Sequence, residues 1–132
     1  MNNFVEYKIA KRLKDIGFDE ECLYNYNPNG ILMSKWYELN IEENIETVTI
    51  DMILNQFKIR EDFYKAPAYY QVFQWFRTKH NIHSSITWVT KGYDFYIKKE
   101  PTRIVNETTH IYSDYRECEI ACIEYMIKMI ET

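Results

Sequence analysis

The chain is poor in glycine, proline and cysteine, with three of each in 132 residues. So little glycine leaves no glycine-rich loop to cradle phosphate and no glycine-rich turn of the kind that builds an oxyanion hole. Cys22, Cys118 and Cys122 are odd in number and lack framework spacing, which predicts free thiols in a reducing compartment. No apolar run reaches the length of a membrane span. The start, Met1 to Lys8, lacks a basic region followed by an apolar run, so the expected location is the cytoplasm. Basic surplus is missing too: 16 Lys and Arg stand against 20 Asp and Glu, a net charge of -4. That balance disfavours polyanion binding, whose affinity comes largely from neutralising phosphates.

What the chain does have is rings. Aromatic residues make up 17% of it, within a hydrophobic total of 46%, which predicts an ordered core built from rings. The length suits one domain, residues 1–132. A first helix is expected over 4–16, with Val5, Ile9, Leu13 and Ile16 on one stripe, Asn3 as cap and Gly17 as stop. Its Lys8, Lys11, Arg12 and Lys14 read as a solvated face. Asn27-Pro28-Asn29-Gly30 predicts a hairpin between 21–26 and 31–37, carrying Tyr24, Tyr26, Trp36 and Tyr37. Residues 38–47 are acidic, and Ile50 to Phe57 is an apolar run whose periodicity fits helix or strand.

Pro67 helps to open a central helix over 68–80, with Tyr69, Val72, Phe73 and Phe76 on one face and Trp75 at its margin. A second hairpin pairs 86–90 with 93–98 around Lys91-Gly92. A last helix covers 114–131, where Asp114 and Glu117 form a capping box and Tyr115, Cys118, Cys122, Ile123, Met126, Met129 and Ile130 share a wide arc. The fold class expected is α+β: helices packed on one face of an antiparallel sheet built from two β-hairpins. The central and last helices are expected to make the main core contact with each other.

The residues able to carry chemistry are few. His80 and His83 with Cys118 and Cys122 have the donors for a tetrahedral zinc site, but cysteines on an apolar arc behave as small hydrophobes, and no metal or other cofactor is expected. Cys118, one turn inside a helix, is a conceivable nucleophile without the donors that a hydrolase needs. Glu119 is the ionisable residue inside the apolar arc. With Arg116 or Tyr115 it could form a partly buried acid site; as a structural group it would take a tyrosine hydroxyl or Arg77 as partner. Glu42, Glu43 and Asp51 lack the spacing of a cation site. Rings interleaved with bases at Trp75 to His80 and Tyr93 to Lys99 could stack and hold nucleotides.

Residues 66–82, Ala-Pro-Ala-Tyr-Tyr-Gln-Val-Phe-Gln-Trp-Phe-Arg-Thr-Lys-His-Asn-Ile, resemble a family of small proteins from phages and prophage-bearing Bacteroidetes. The likeness extends through the second half, to a closing-helix pattern Tyr-x-x-Ala/Cys-x-x-Ala/Cys matched by Tyr115, Cys118 and Ala121 within Tyr115 to Cys122. It departs at Ala68, where the family often places Thr or Ser as a helix cap, at a cost of about 1 kcal/mol in capping. That family has no established activity, so the resemblance implies a phage or prophage setting and carries over no functional residue. The reading that results is a non-enzymatic factor that binds a host or phage protein, with no catalytic residue assigned. Trp75, Arg77, His80, His83 and Glu119 are its candidate binding residues. The alternative is a nucleic-acid-binding module, followed by a cysteine hydrolase or zinc-binding domain. A homodimer through a sheet edge and exposed Tyr24, Tyr26 and Trp36 is also expected.

Overall fold

The computed structural model describes residues 3–34, 62–99 and 110–131, and the backbone of 103–106. The acidic stretch 38–47, the run Ile50 to Phe57, Trp36 and Tyr37, and the carboxylates Glu42, Glu43 and Asp51 lie outside the described residues. The chain divides into two compact units, Met1–Ala68 and Tyr69–Thr132. Its class is α+β. The two hairpins do not share a sheet, however: each recruits a third strand and forms an antiparallel sheet of its own.

In the first unit, α1 (Tyr7–Asp15) buries Ile9, Ala10 and Leu13 on one stripe. It starts later than expected. Glu6, not Asn3, occupies the N-cap and makes no side-chain cap bond, while Phe4 bridges to Ala68 and the Val5 amide donates to the Pro67 carbonyl at 3.0 Å. That early pairing holds the backbone extended. Gly17, at φ +96°, ends the helix as anticipated, and the Phe18 amide closes back onto the Leu13 carbonyl at 2.9 Å.

β1 (Tyr24–Tyr26) lies between β2 (Leu32–Ser34) and β3 (Tyr64–Lys65), a strand too short to show in the sequence. The hairpin turn is the one its residues dictate. Asn27 Oδ1 accepts from the amides of Asn29 and Ile31, and Gly30 sits at φ +83°. Central placement of β1 corrects the dimer argument. Tyr26 is only 6% exposed, its hydroxyl donates to the Val5 carbonyl at 2.7 Å, and Tyr24 packs on Phe4 with centroids 4.5 Å apart. Tyr26 is thus not exposed as expected, Tyr24 is half-buried, and Trp36 lies outside the described residues. On α1, Lys14 donates to the Phe63 carbonyl and lies over the Tyr64 ring, and Lys11 lies over Tyr7, so two of the four bases dress their own unit.

The second unit holds α2 (Tyr69–His80), β4 (Ile82–Val89), β5 (Gly92–Lys99), β6 (Arg103–Asn106) and α3 (Tyr115–Glu131). Its sheet order is β4-β5-β6. Asn81, at φ +58°, turns the chain from α2 directly into β4, four residues earlier than expected. Register places Ile82, Ser84, Ile86 and Trp88 opposite Lys99, Ile97, Phe95 and Tyr93 on one face of the sheet. The helices cover that face, burying Ile82, Phe95 and Ile97.

The helices differ from expectation in three respects. Each makes its larger contact with a strand, α2 with β4 and α3 with β5, and the contact between the helices is smaller. Trp75 is buried in α2 while Phe73 is only half-buried. On α3, Ile127 joins the core, whereas Tyr115 is exposed and Met129 and Ile130 are half-buried. Two supporting surfaces widen and rotate the buried arc beyond a single stripe.

The segment before α3 returns to the sheet, and Tyr112 exchanges both backbone bonds with Tyr93, at 2.7 and 2.8 Å. That approach explains Gly92. A Cβ there would sit 2.5 Å from the Tyr112 carbonyl oxygen and 2.7 Å from a methyl of Ile111. Gly92→Ala should therefore cost about 1–3 kcal/mol through overpacking, read as a lowered urea midpoint with unchanged slope.

Candidate functional site

Of the five candidate residues, the structure brings Arg77 and Glu119 together. Both line an open cleft of about 290 Å³ in the second unit. One wall comes from α2, whose Tyr70, Phe73 and Arg77 recur at helical spacing. The floor is the middle of β4, with Ser84 and Ile86, and the far wall is the first turn and a half of α3, with Tyr115 and Glu119. Tyr70 is 74% exposed and Tyr115 46% exposed, so the rim is aromatic and wet.

Glu119 is 8% exposed, and its Oε1 accepts from Arg116 Nε at 2.9 Å. The partner is thus Arg116, one helical turn away, rather than Arg77. Arg116 also lies over the Tyr69 ring, 3.9 Å from its centroid. Burial raises the Glu119 carboxyl above its ordinary value and the Arg116 charge and hydrogen bond pull it back down. Arg77 is exposed and forms no ion pair with another described residue.

The other three candidates lie elsewhere. Trp75 is core, its ring edge-on to Phe76 and His80 at 5.1 and 4.7 Å. His80 packs as an aromatic; its Nε2 is buried with no hydrogen-bond partner, and burial followed by Lys99 and Lys79 lowers its pKa. His83 is exposed on the opposite face of β4, across from Lys98. No group of three metal-ligating side chains gathers among the described residues, so the zinc constellation is not assembled there.

Burial disfavours Cys118 and Cys122 as nucleophiles. Burial pushes the Cys118 thiol up to about 11, with Asp94 and Glu119 adding to the rise. Cys122 reaches about 12, although a hydrogen bond with Ser84 opposes the shift. The dipole of α3 does not offset this loss of solvation. Cys22, Cys118 and Cys122 are all buried, so a disulfide exchange reagent at pH 8 should label them at the rate of unfolding and all three at once in denaturant. Rapid labelling of any one thiol in the native protein would contradict this packing.

Sequence reasoning missed Trp88, Tyr93 and Tyr115 as a set. Trp88 meets Tyr93 edge-on at 5.1 Å, and Tyr93 meets Tyr115 edge-on at 5.3 Å. Trp88 shares the helix-covered face with Ile82 yet is 64% exposed. The three rings form a ladder from the hairpin turn to the cleft mouth. Strict alternation along β4 and β5 from the Lys91-Gly92 turn was the signal that could have found it. No family model matches the chain, and the comparisons with curated proteins and with solved structures give no match.

Proposed function

We propose that this chain is a non-enzymatic factor that binds another protein, and that it does so through the ring ladder and the adjoining cleft. The observation that carries the reading is the exposure of Tyr70 and Tyr115 at the cleft and of Trp88, joined to Tyr115 through the Tyr93 ring. A soluble surface seldom groups large rings without a partner, and Trp and Tyr dominate interface energetics. Edge-on stacking holds the ladder in place before binding, which reduces the entropy lost on association. The raised thiols and the lack of an assembled donor set among the described residues argue against hydrolytic chemistry. A phage or prophage setting comes with the proposal from the resemblance over residues 66–82, and the partner is then a host or phage protein.

The nucleic-acid alternative loses part of its support, although Tyr96 stays exposed in β5. Of the rings interleaved with bases, Trp75, Phe76 and Phe95 are core and present no face for stacking. The test is capture from a bacterial lysate on the immobilised chain, with and without nuclease. A nuclease-resistant partner protein is expected, and Trp88→Ala should weaken its binding by about 1–2 kcal/mol, roughly 5- to 30-fold, without moving the melting temperature. Only nuclease-sensitive material on the beads would favour the nucleic-acid module instead.

A further inference from the structure

The side of β4 that faces away from β5 has a definite polarity of bonding groups. Tyr93 gives both its backbone bonds to Tyr112, on the side of β5 away from β4. Trp88, opposite Tyr93, is therefore a non-hydrogen-bonded partner and turns its own N–H and C=O away from β5. The two-residue alternation turns Ser84 and Ile86 the same way. Among the described residues no strand pairs with that side. Ile82 to Val89 contains no Lys, Arg, Asp, Glu or Pro, the residues with which natural proteins protect an exposed edge.

Ser84 and Ile86 also line the cleft. A strand added along β4 would direct alternate side chains onto the helix-covered face, where the cleft lies. Two neighbouring side chains of that strand would meet Phe73 and Tyr115 on one hand and Arg77 on the other. The charge there is unbalanced, because Glu119 is held by Arg116 while Arg77 has no ion-pair partner among the described residues. A second copy of the chain is a poor occupant: its own β4 brings no carboxylate to Arg77.

We infer that the β4 edge and its cleft take an extended segment of the partner protein, added as a fourth strand, with an apolar side chain in the cleft and a carboxylate on Arg77. This rests on the protein-binding reading above and specifies its partner chemistry. Backbone bonds to Ser84 and Ile86 supply affinity, and Arg77 supplies selection for acid.

The test is selection of random heptapeptides on the full chain, followed by binding measurements on the enriched sequences made synthetically. The expected peptides alternate apolar and acidic residues two apart. Backbone N-methylation at alternate positions should weaken them about tenfold per methyl, and so should conversion of the key carboxylate to its amide. Arg77→Gln should abolish the difference between acid and amide, and Ile86→Pro, which removes an outward donor from an edge where proline is tolerated, should abolish binding while β4 still pairs with β5. Binding that ignores methylation, tightens on amidation, or is replaced by a β4-mediated dimer in sedimentation would overturn the inference, as would a selection without binders. A lysate partner that tolerates both Ile86→Pro and Arg77→Gln would reject this groove and leave the protein-binding reading standing. No partner protein at all would reject both.

Discussion

Phe76→Ala is expected to reduce the unfolding free energy by about 3–5 kcal/mol, a large share of the roughly 5–15 kcal/mol typical of a domain. The ring is 0% exposed, lies edge-on to Trp75 at 5.1 Å, and sits on the helix that covers β4. Truncation removes its transfer free energy and opens a cavity whose walls cannot easily collapse. The other buried residues of this unit are held by regular structure, Ile82 and Ile97 by the sheet and Cys122, Ile123 and Met126 by α3, which limits how far the core can relax into the space. Urea denaturation followed by circular dichroism checks the figure. A melting temperature equal to that of wild type, accompanied by lost partner binding, would mean that this ring faces solvent and belongs to the interface.

The mutation also separates two levels at which the sequence was legible. The face Tyr69, Val72 and Phe76 could be read because helical spacing repeats locally. The exchange of Phe73 for Trp75 could not, since it depends on where the sheet and α3 meet α2. Both hairpins announced themselves through turns whose chemistry lies within four residues: Asn27 to Gly30, and Lys91-Gly92, where the structure has Val89 paired with Gly92 across Thr90-Lys91. β3 and β6 did not. A two-residue strand and a four-residue strand exist because β1 and β5 offer them hydrogen bonds, which is information from distant parts of the chain.

For the site, the same contrast holds. Glu119 stood out as a charge that patterning left unexplained, Arg77 was a possible partner for it, and both line one cleft. Trp88 did not stand out among so many rings, and the sequence pattern puts Tyr115 in the buried arc or in an acid site rather than among the exposed rings. Composition counts rings, but only register and the extent of helix cover decide which of them are left exposed.

Arg116→Ala should cost about 2–3 kcal/mol at neutral pH, near the lower end for a broken buried pair because the guanidinium is itself half-exposed. Most of the loss is the penalty of leaving the Glu119 carboxylate buried without its partner; a smaller part is the contact of Arg116 with the Tyr69 ring. The pH dependence distinguishes the two. Burial already holds the folded Glu119 above its ordinary value of 4.5, and removing Arg116 removes the charge and hydrogen bond that oppose this rise. A carboxyl raised in the folded state favours folding in acid, and that advantage is lost as pH climbs through the folded value. The deficit of Arg116→Ala should therefore shrink as pH falls from 7 towards 4.5, where Glu119 becomes protonated in the variant. Glu119→Gln should be nearly neutral in the wild-type background and should restore most of the stability lost by Arg116→Ala. Urea midpoints for this set at several pH values decide the matter: a deficit independent of pH and untouched by Glu119→Gln would show that Arg116 does not act through Glu119.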